Sequence, residues 1–203
     1  MAPTIYTFPA ITPHKTRLTL SHNAGLFVSP FTAFTQGFAR EGTRWVMEMQ
    51  FRNLNPTNKN ALKAFLAHLN GVQHRFNVHD HSHEQLGSMT GTPRVKGANQ
   101  SGNSLVTDGW VYDITLRAGN HLSYVNANGR SELKMITEDT LVNGLGNATI
   151  PVSPEIHTSP ADNATIEVTN PEGTFILADP DMSWDNDPGA GAFLTVRGIE
   201  DLA

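Results

Sequence analysis

The sequence predicts a mainly β protein: a β-sandwich or barrel core domain with one packed α-helix, and a small β-barrel inserted into it. Three observations predict this. Strict alternation runs through Trp45–Phe51, where Trp45, Met47, Met49 and Phe51 face one way and Val46, Glu48 and Gln50 the other. A single segment, Pro56–Leu69, carries a helical apolar stripe. After Gly91, short apolar segments recur between Gly- and Asn-rich turns, as they do in small sandwiches and barrels. The expected division is 1–90 and 178–203 for the core domain and 91–177 for the insert.

In chain order, Met1–Thr16 contains Pro3, Pro9 and Pro13, which suit an extended arm better than a central strand. Such an arm would lie on a neighbouring subunit. Lys15–His22 alternates as a half-buried strand, Asn23-Ala-Gly25 turns, and Leu26–Val28 reads as a short strand before a bend at Ser29-Pro-Phe31. In the helix, Asn55 caps and Pro56 takes the first position, where its missing N–H costs nothing. Leu62, Phe65, Leu66 and Leu69 form the stripe, and Asn70-Gly71 supplies a left-handed stop. Phe76–Val78 is a short strand. Gly91–Trp110 (GTPRVKGANQSGNSLVTDGW) reads as the passage out of the core domain. Further strands are expected at Ser104–Thr107, Trp110–Leu116, His121–Val125, Glu132–Ile136, Thr149–Val152, Thr165–Val168 and Gly173–Leu177. The alternating segment Ala192–Arg197 suits a strand returning to the first sheet.

Composition narrows the function. The chain has 203 residues, a formal net charge of -5 and no cysteine. No basic field exists to attract a phosphate backbone, and disulfides, thiolate zinc sites and cysteine nucleophiles are excluded. No apolar run reaches bilayer length, and the first residues lack a secretory pattern. A soluble product made in a cytoplasm is expected. The triplets Asn147-Ala-Thr149 and Asn163-Ala-Thr165 therefore carry no weight as glycosylation sites.

Three clusters could hold chemistry. His74, His79, His81 and His83, with Asp80 and Glu84, have donor types and spacing that suit zinc, nickel or copper. On a strand, His79, His81 and His83 would share one side. An exposed polar loop explains them more simply. The acidic run Asp179, Asp181, Asp185 and Asp187 offers oxygen donors to calcium, yet lacks the EF-hand order, so a solvated loop is the simpler reading. Trp110, Tyr112 and Tyr124 could form a sugar-stacking face, against the commoner role of strand aromatics in a core. Nucleophile elbows, phosphate loops and dinucleotide fingerprints are missing. The expectation is of a non-enzyme with no catalytic residue, no cofactor and no metal.

The order of elements resembles the distal tail protein family of long, non-contractile-tailed bacteriophages. The residues that carry it are Ser29-Pro-Phe-Thr32, Trp45–Phe51, the helix NALKAFLAHLNG, Val95–Trp110, Leu116–Asn120, and Ser159–Asp162 leading to Gly173–Leu177. The histidine-rich Val78–His83 stands where such proteins often have a Gly-Asp-Pro-type turn. The resemblance implies a structural ring in the virion, commonly a hexamer, that joins the tail tube protein to the tail-tip hub and other baseplate proteins. It implies contact with itself, no membrane partner and no sequence-specific nucleic acid. DNA would pass through the lumen, where net acidity would keep it from sticking. The alternative is a carbohydrate-binding module contacting host surface glycans; a metal-dependent hydrolase using the histidines ranks third.

Overall fold

The computed structural model describes residues 3–187 and 191–202. Its elements are β1 (Ile5–Thr7), β2 (Lys15–Ser21), β3 (Ala24–Val28), β4 (Thr35–Ala39), β5 (Arg44–Phe51), α1 (Pro56–His68), β6 (Arg75–His79), β7 (Gly91–Val95), β8 (Gly102–Trp110) and β9 (Thr115–Leu116). They continue with β10 (His121–Val125), β11 (Ser131–Ile136), β12 (Thr140–Leu141), β13 (Ala148–Ile156), β14 (Ile166–Glu167), β15 (Glu172–Leu177), β16 (Asp185–Asp187) and β17 (Gly191–Glu200). The fold is mainly β, as expected.

The first sheet has the order β1-β6-β15-β17-β5-β2, with β16 paired to β17. Its inner face is set by alternation. Trp45, Met47, Met49 and Phe51 of β5 are buried together with Phe76, Val78, Phe175, Leu194 and Val196. Helix α1 closes this core with Leu62 and Leu66, and Leu69 follows at its C-cap. The Asn55 side chain caps the helix by accepting from the Asn58 N–H at 2.7 Å. Asn70 and Gly71 turn the chain out with φ of 49° and 64°. Asn55→Ala should lower stability by about 1 kcal/mol, because one helix N–H loses its partner. Urea unfolding would show this as a lower midpoint at constant slope; an unchanged midpoint would mean the cap is idle.

The second sheet has the order β14-β10-β11-β13-β8-β7. It closes into a barrel where Arg94 bridges Thr165 and Val95 exchanges backbone bonds with Asn163 and Ala164, each at 2.9 Å. Val95, Leu105, Leu116, Leu122, Ile136 and Ile150 fill it.

Three expectations need correction. The N-terminal residues 3–16 are not a free arm. Residues 5–7 pair in parallel with β6, and Phe8 and Ile11 are buried in the chain's own core. The prolines fit because β1 is a short edge strand ending before Pro9. Gly91–Trp110 is not a linker but mostly the paired strands β7 and β8 with the loop between them. Glycine makes that pairing possible: at Gly109, φ is +76° and a Cβ would stand 2.3 Å from the Thr92 carbonyl. Finally, β15 pairs with β6 and β17, so the chain is back in the first sheet by Glu172, earlier than the expected 178.

Strand β11 joins the two cores. Leu133 belongs to the first and Ile136 to the second. Around it, Trp45 Nε1 donates to the Leu133 carbonyl at 2.9 Å, the Ser131 hydroxyl to the Glu172 carbonyl at 2.9 Å, and the Glu172 N–H to Ser123 Oγ at 3.0 Å. The two sheets thus share a wall as well as two chain crossings.

Candidate functional site

The most unusual surface is the β3–β4 hairpin. Its register runs from Ala24 opposite Ala39 to Val28 opposite Thr35, and it pairs with neither large sheet. A turn between Ser29 and Phe34 closes it, with the Ala33 N–H donating to the Ser29 carbonyl at 3.0 Å. Phe38 lies opposite Gly25, where a Cβ would fall 2.3 Å from its ring. The glycine therefore makes room for the aromatic, and Arg40 stands 5.3 Å from the ring centroid. The apolar side chains point into solvent: Leu26 is 70% exposed, Phe34 78% and Phe31 96%, with Phe27, Val28 and Phe38 also exposed. Successive residues of a strand point to opposite faces, so Leu26, Phe27 and Val28 leave both faces of the ribbon apolar. The sequence reading found β3 but missed β4, whose TQGFA has no alternation to detect.

The histidines come together differently from the strand prediction. Only His79 lies on β6. Asp80 then makes a turn, accepting from the Ser82 N–H at 2.9 Å and the Ser82 hydroxyl at 2.7 Å, while the His83 N–H reaches the Asp80 carbonyl at 3.2 Å. This turn brings His83 onto His121 at the start of β10, rings stacked with centroids 4.1 Å apart. His79 and His81 form a second pair at 4.0 Å. The four line a cavity of about 130 Å³ together with Asp80, Thr169, Asn170 and Pro171. His74 is not among them; its Nδ1 accepts from the Thr4 N–H at 3.1 Å. His121, 42 residues after His79, had no local signal to link it to the cluster.

Burial, and then the neighbouring His83, push the His121 imidazole down to about 4, with Asp80 opposing. Burial likewise lowers His81, helped by His79, and lowers His83. His83 Nε2 accepts from the His121 N–H at 3.3 Å, so that nitrogen carries no proton. The His121 Nδ1 is buried without a hydrogen-bond partner. As arranged, no three His, Asp or Glu groups among the described residues surround a common point at metal-ligand geometry.

The remaining candidates separate. Trp110 and Tyr124 are buried, with Trp110 Nε1 donating to Thr107 Oγ1 at 2.8 Å and the Tyr124 hydroxyl to Glu132 at 3.0 Å. Of the three aromatics proposed to stack on sugar, only Tyr112 is exposed, at 64%. Asp179 and Asp181 are spent partly on a local turn, the Asp181 N–H donating to Asp179 Oδ1 at 3.0 Å. Asp185 and Asp187 lie on β16. The end of that acidic segment, 188–190, lies outside the described residues.

A further polar cluster lies at the shared wall. Glu132 and Lys134, two apart on β11, form a buried ion pair at 2.8 Å. Glu200 lies close by, its Oε2 accepting from the Trp45 N–H at 2.9 Å. Sequence inspection had no means to find this cluster, since Glu and Lys on a strand ordinarily mark its wet face.

No protein-family model matches the chain, and no curated protein matches it. Among solved structures, it is similar to the carboxy-terminal domain of the turkey type 3 siadenovirus fibre, avirulent form, complexed with 3-sialyllactose. That match has 10% identity and a TM-score of 0.23, and covers 89% of this chain and 99% of the fibre domain.

Proposed function

We propose that the chain is a structural, non-enzymatic protein of a phage tail tip, assembling into a closed ring between the tail tube and the tail-tip hub. The observation that supports this best is the β3–β4 hairpin. A two-stranded ribbon is marginal in water, and a contiguous exposed apolar surface marks a protein contact. With both faces apolar, the ribbon needs cover on two sides, which a neighbouring copy supplies. The hairpin meets a different surface on that copy, so the contact is head-to-tail and propagates until the rotation closes it. The resemblance to distal tail proteins makes six the expected number.

The test is native mass spectrometry of the purified chain, beside the triple variant Phe27→Ser, Phe31→Ser, Phe34→Ser. None of these rings belongs to either buried core, so the variant should melt like wild-type monomer. The wild type should form a closed oligomer, and the variant should be monomeric at the same concentration. A wild type that stays monomeric at tens of micromolar, or a variant that still closes, would overturn the reading.

A further inference from the structure

We propose that the barrel tip carrying Val111, Tyr112, Leu141 and Leu145 is the surface that receives the β3–β4 hairpin of a neighbouring copy. This rests on the ring reading above and names the other half of its contact. All four side chains are exposed, Leu145 at 85%. Backbone bonds hold their two segments side by side. The Trp110 N–H donates to the Gly146 carbonyl at 3.2 Å, the Asp113 N–H to the Val142 carbonyl at 3.2 Å, and the Val142 N–H to the Ile114 carbonyl at 2.9 Å. Leu141 stands opposite Thr115 in the β9–β12 pair. The apolar residues therefore share one end of the barrel.

The turn that carries Leu145 is firmly built. Asn143 Oδ1 accepts from the Leu145 N–H at 2.9 Å and the Asn147 N–H at 3.0 Å, and the Gly146 N–H donates to the Asn143 carbonyl at 2.9 Å. At Gly146, φ is +74° and a Cβ would stand 2.6 Å from the Trp110 carbonyl, so the turn sits tightly on the end of β8. A fixed turn that presents an apolar side chain to water loses little freedom on binding.

Its place relative to the hairpin decides the occupant. At the hairpin's foot, the Gly42 N–H donates to Glu155 Oε1 at 3.0 Å, and Ala39 and Arg40 line a cleft with Ser101, Gly102 and Asn103. The foot thus lies at the Gly102 end of β8 and the tip at the Trp110 end, about 27 Å away along the strand. Within one chain neither apolar set covers the other, since both are exposed. Two different surfaces at opposite ends are what a head-to-tail ring requires, whereas a self-complementary patch would pair two copies and stop. Charge agrees with this occupant. Arg40 is the single charged residue of 24–40, while 111–117 and 137–146 hold Asp113, Glu138 and Asp139 against Arg117. Arg117 is already paired with Asp139 at 2.7 Å. The surplus carboxylates suit Arg40 and oppose an anionic membrane surface.

The experiment compares the tip variant Tyr112→Ser, Leu141→Ser, Leu145→Ser with the wild type and the hairpin variant above by sedimentation velocity. None of the three side chains belongs to either buried core, so the tip variant should melt like the hairpin variant. Each variant alone should be monomeric. Mixed in equal amounts, they should form a dimer and stop there, because one intact hairpin and one intact tip remain. The single change Leu145→Ser covers the case in which the triple variant fails to fold. It should weaken each contact roughly tenfold, read as a higher concentration for ring closure. A tip variant that still closes, or ring closure unmoved by Leu145→Ser, would overturn this inference and leave the ring reading standing. So would two monomeric variants that do not join on mixing. A wild type that stays monomeric, or a hairpin variant that closes, would overturn the ring reading and this inference with it.

Discussion

Lys134→Met should destabilise the protein by about 3–5 kcal/mol, the usual cost of removing one partner from a buried ion pair. Lys134 is fully buried, its Nζ 2.8 Å from Glu132 and 2.7 Å from the Glu155 carbonyl. Glu132 also accepts from the Tyr124 hydroxyl, Asn126 Nδ2 and the Thr158 N–H, at 3.0, 2.9 and 3.0 Å. Burial alone pushes the Glu132 carboxyl up. The Lys134 ammonium and these hydrogen bonds more than reverse that, so the group stays ionised below the ordinary range. Without the ammonium, the carboxylate keeps its donors but loses its countercharge, and the Glu155 carbonyl loses a partner. Adding Glu132→Gln removes the charge that Lys134 neutralises while retaining an acceptor for Asn126 and Thr158. The double variant should therefore be more stable than Lys134→Met alone, a coupling readable from a double-mutant cycle in guanidinium. A cost below about 1 kcal/mol for Lys134→Met, or simple additivity, would show that the pair does not act as one unit.

How much was legible depended on whether local pattern and tertiary environment agreed. In β5 and α1 they do: alternation and the apolar stripe face the one core those elements touch, and Asn55 and Asn70-Gly71 mark the helix ends. Glu132–Ile136 was legible as a strand but its environment was not. ELKMI reads as a strand with a wet face, and only closure of the barrel turns Glu132 and Lys134 inward. The β7–β8 hairpin was hidden for the opposite reason. Gly91 and Gly109 are needed where the strands approach too closely for a Cβ, and the intervening loop is fastened by Gln100, whose side chain bonds the Lys96, Gly97 and Val106 carbonyls and the Val106 N–H. Residues chosen for such geometry look like linker. The β3–β4 ribbon reversed the usual rule, since its apolar residues face water and β4 has no buried face to alternate against. At the histidines, the sequence showed the local run at 79–83, while His121 joined the cavity they line through topology alone.

Glu200→Gln should stabilise the protein at pH 8 and leave its stability nearly unchanged at pH 4.5. Glu200 is 2% exposed, and its Oε1 has no hydrogen-bond partner. Burial pushes its carboxyl from an ordinary 4.5 up to about 7; Lys134 and the Trp45 N–H pull the other way, and Glu132 adds repulsion. One ammonium thus faces two carboxylates, and Glu132, with more donors, takes the charge. The sign follows from linkage. Between pH 4.5 and 7 the native Glu200 holds a proton that the unfolded chain has released, so its contribution falls as pH rises and levels off above about 7. The full span is roughly 3 kcal/mol. The buried His121 and the half-buried histidines act oppositely. His81, His83, His121 and His157 are all lowered, chiefly by burial, so each favours folding above its unfolded value and loses that contribution as pH falls. Wild-type stability alone mixes the two slopes. The difference between wild type and Glu200→Gln cancels the histidines and isolates the carboxyl, because the amide retains an acceptor for the Trp45 N–H. Guanidinium unfolding at pH 4.5, 6 and 8 should show that difference growing steadily in favour of the variant. A difference that does not change with pH would mean that Glu200 releases its proton over the same pH range folded and unfolded, with the ammonium of Lys134 and the Trp45 N–H fully offsetting its burial.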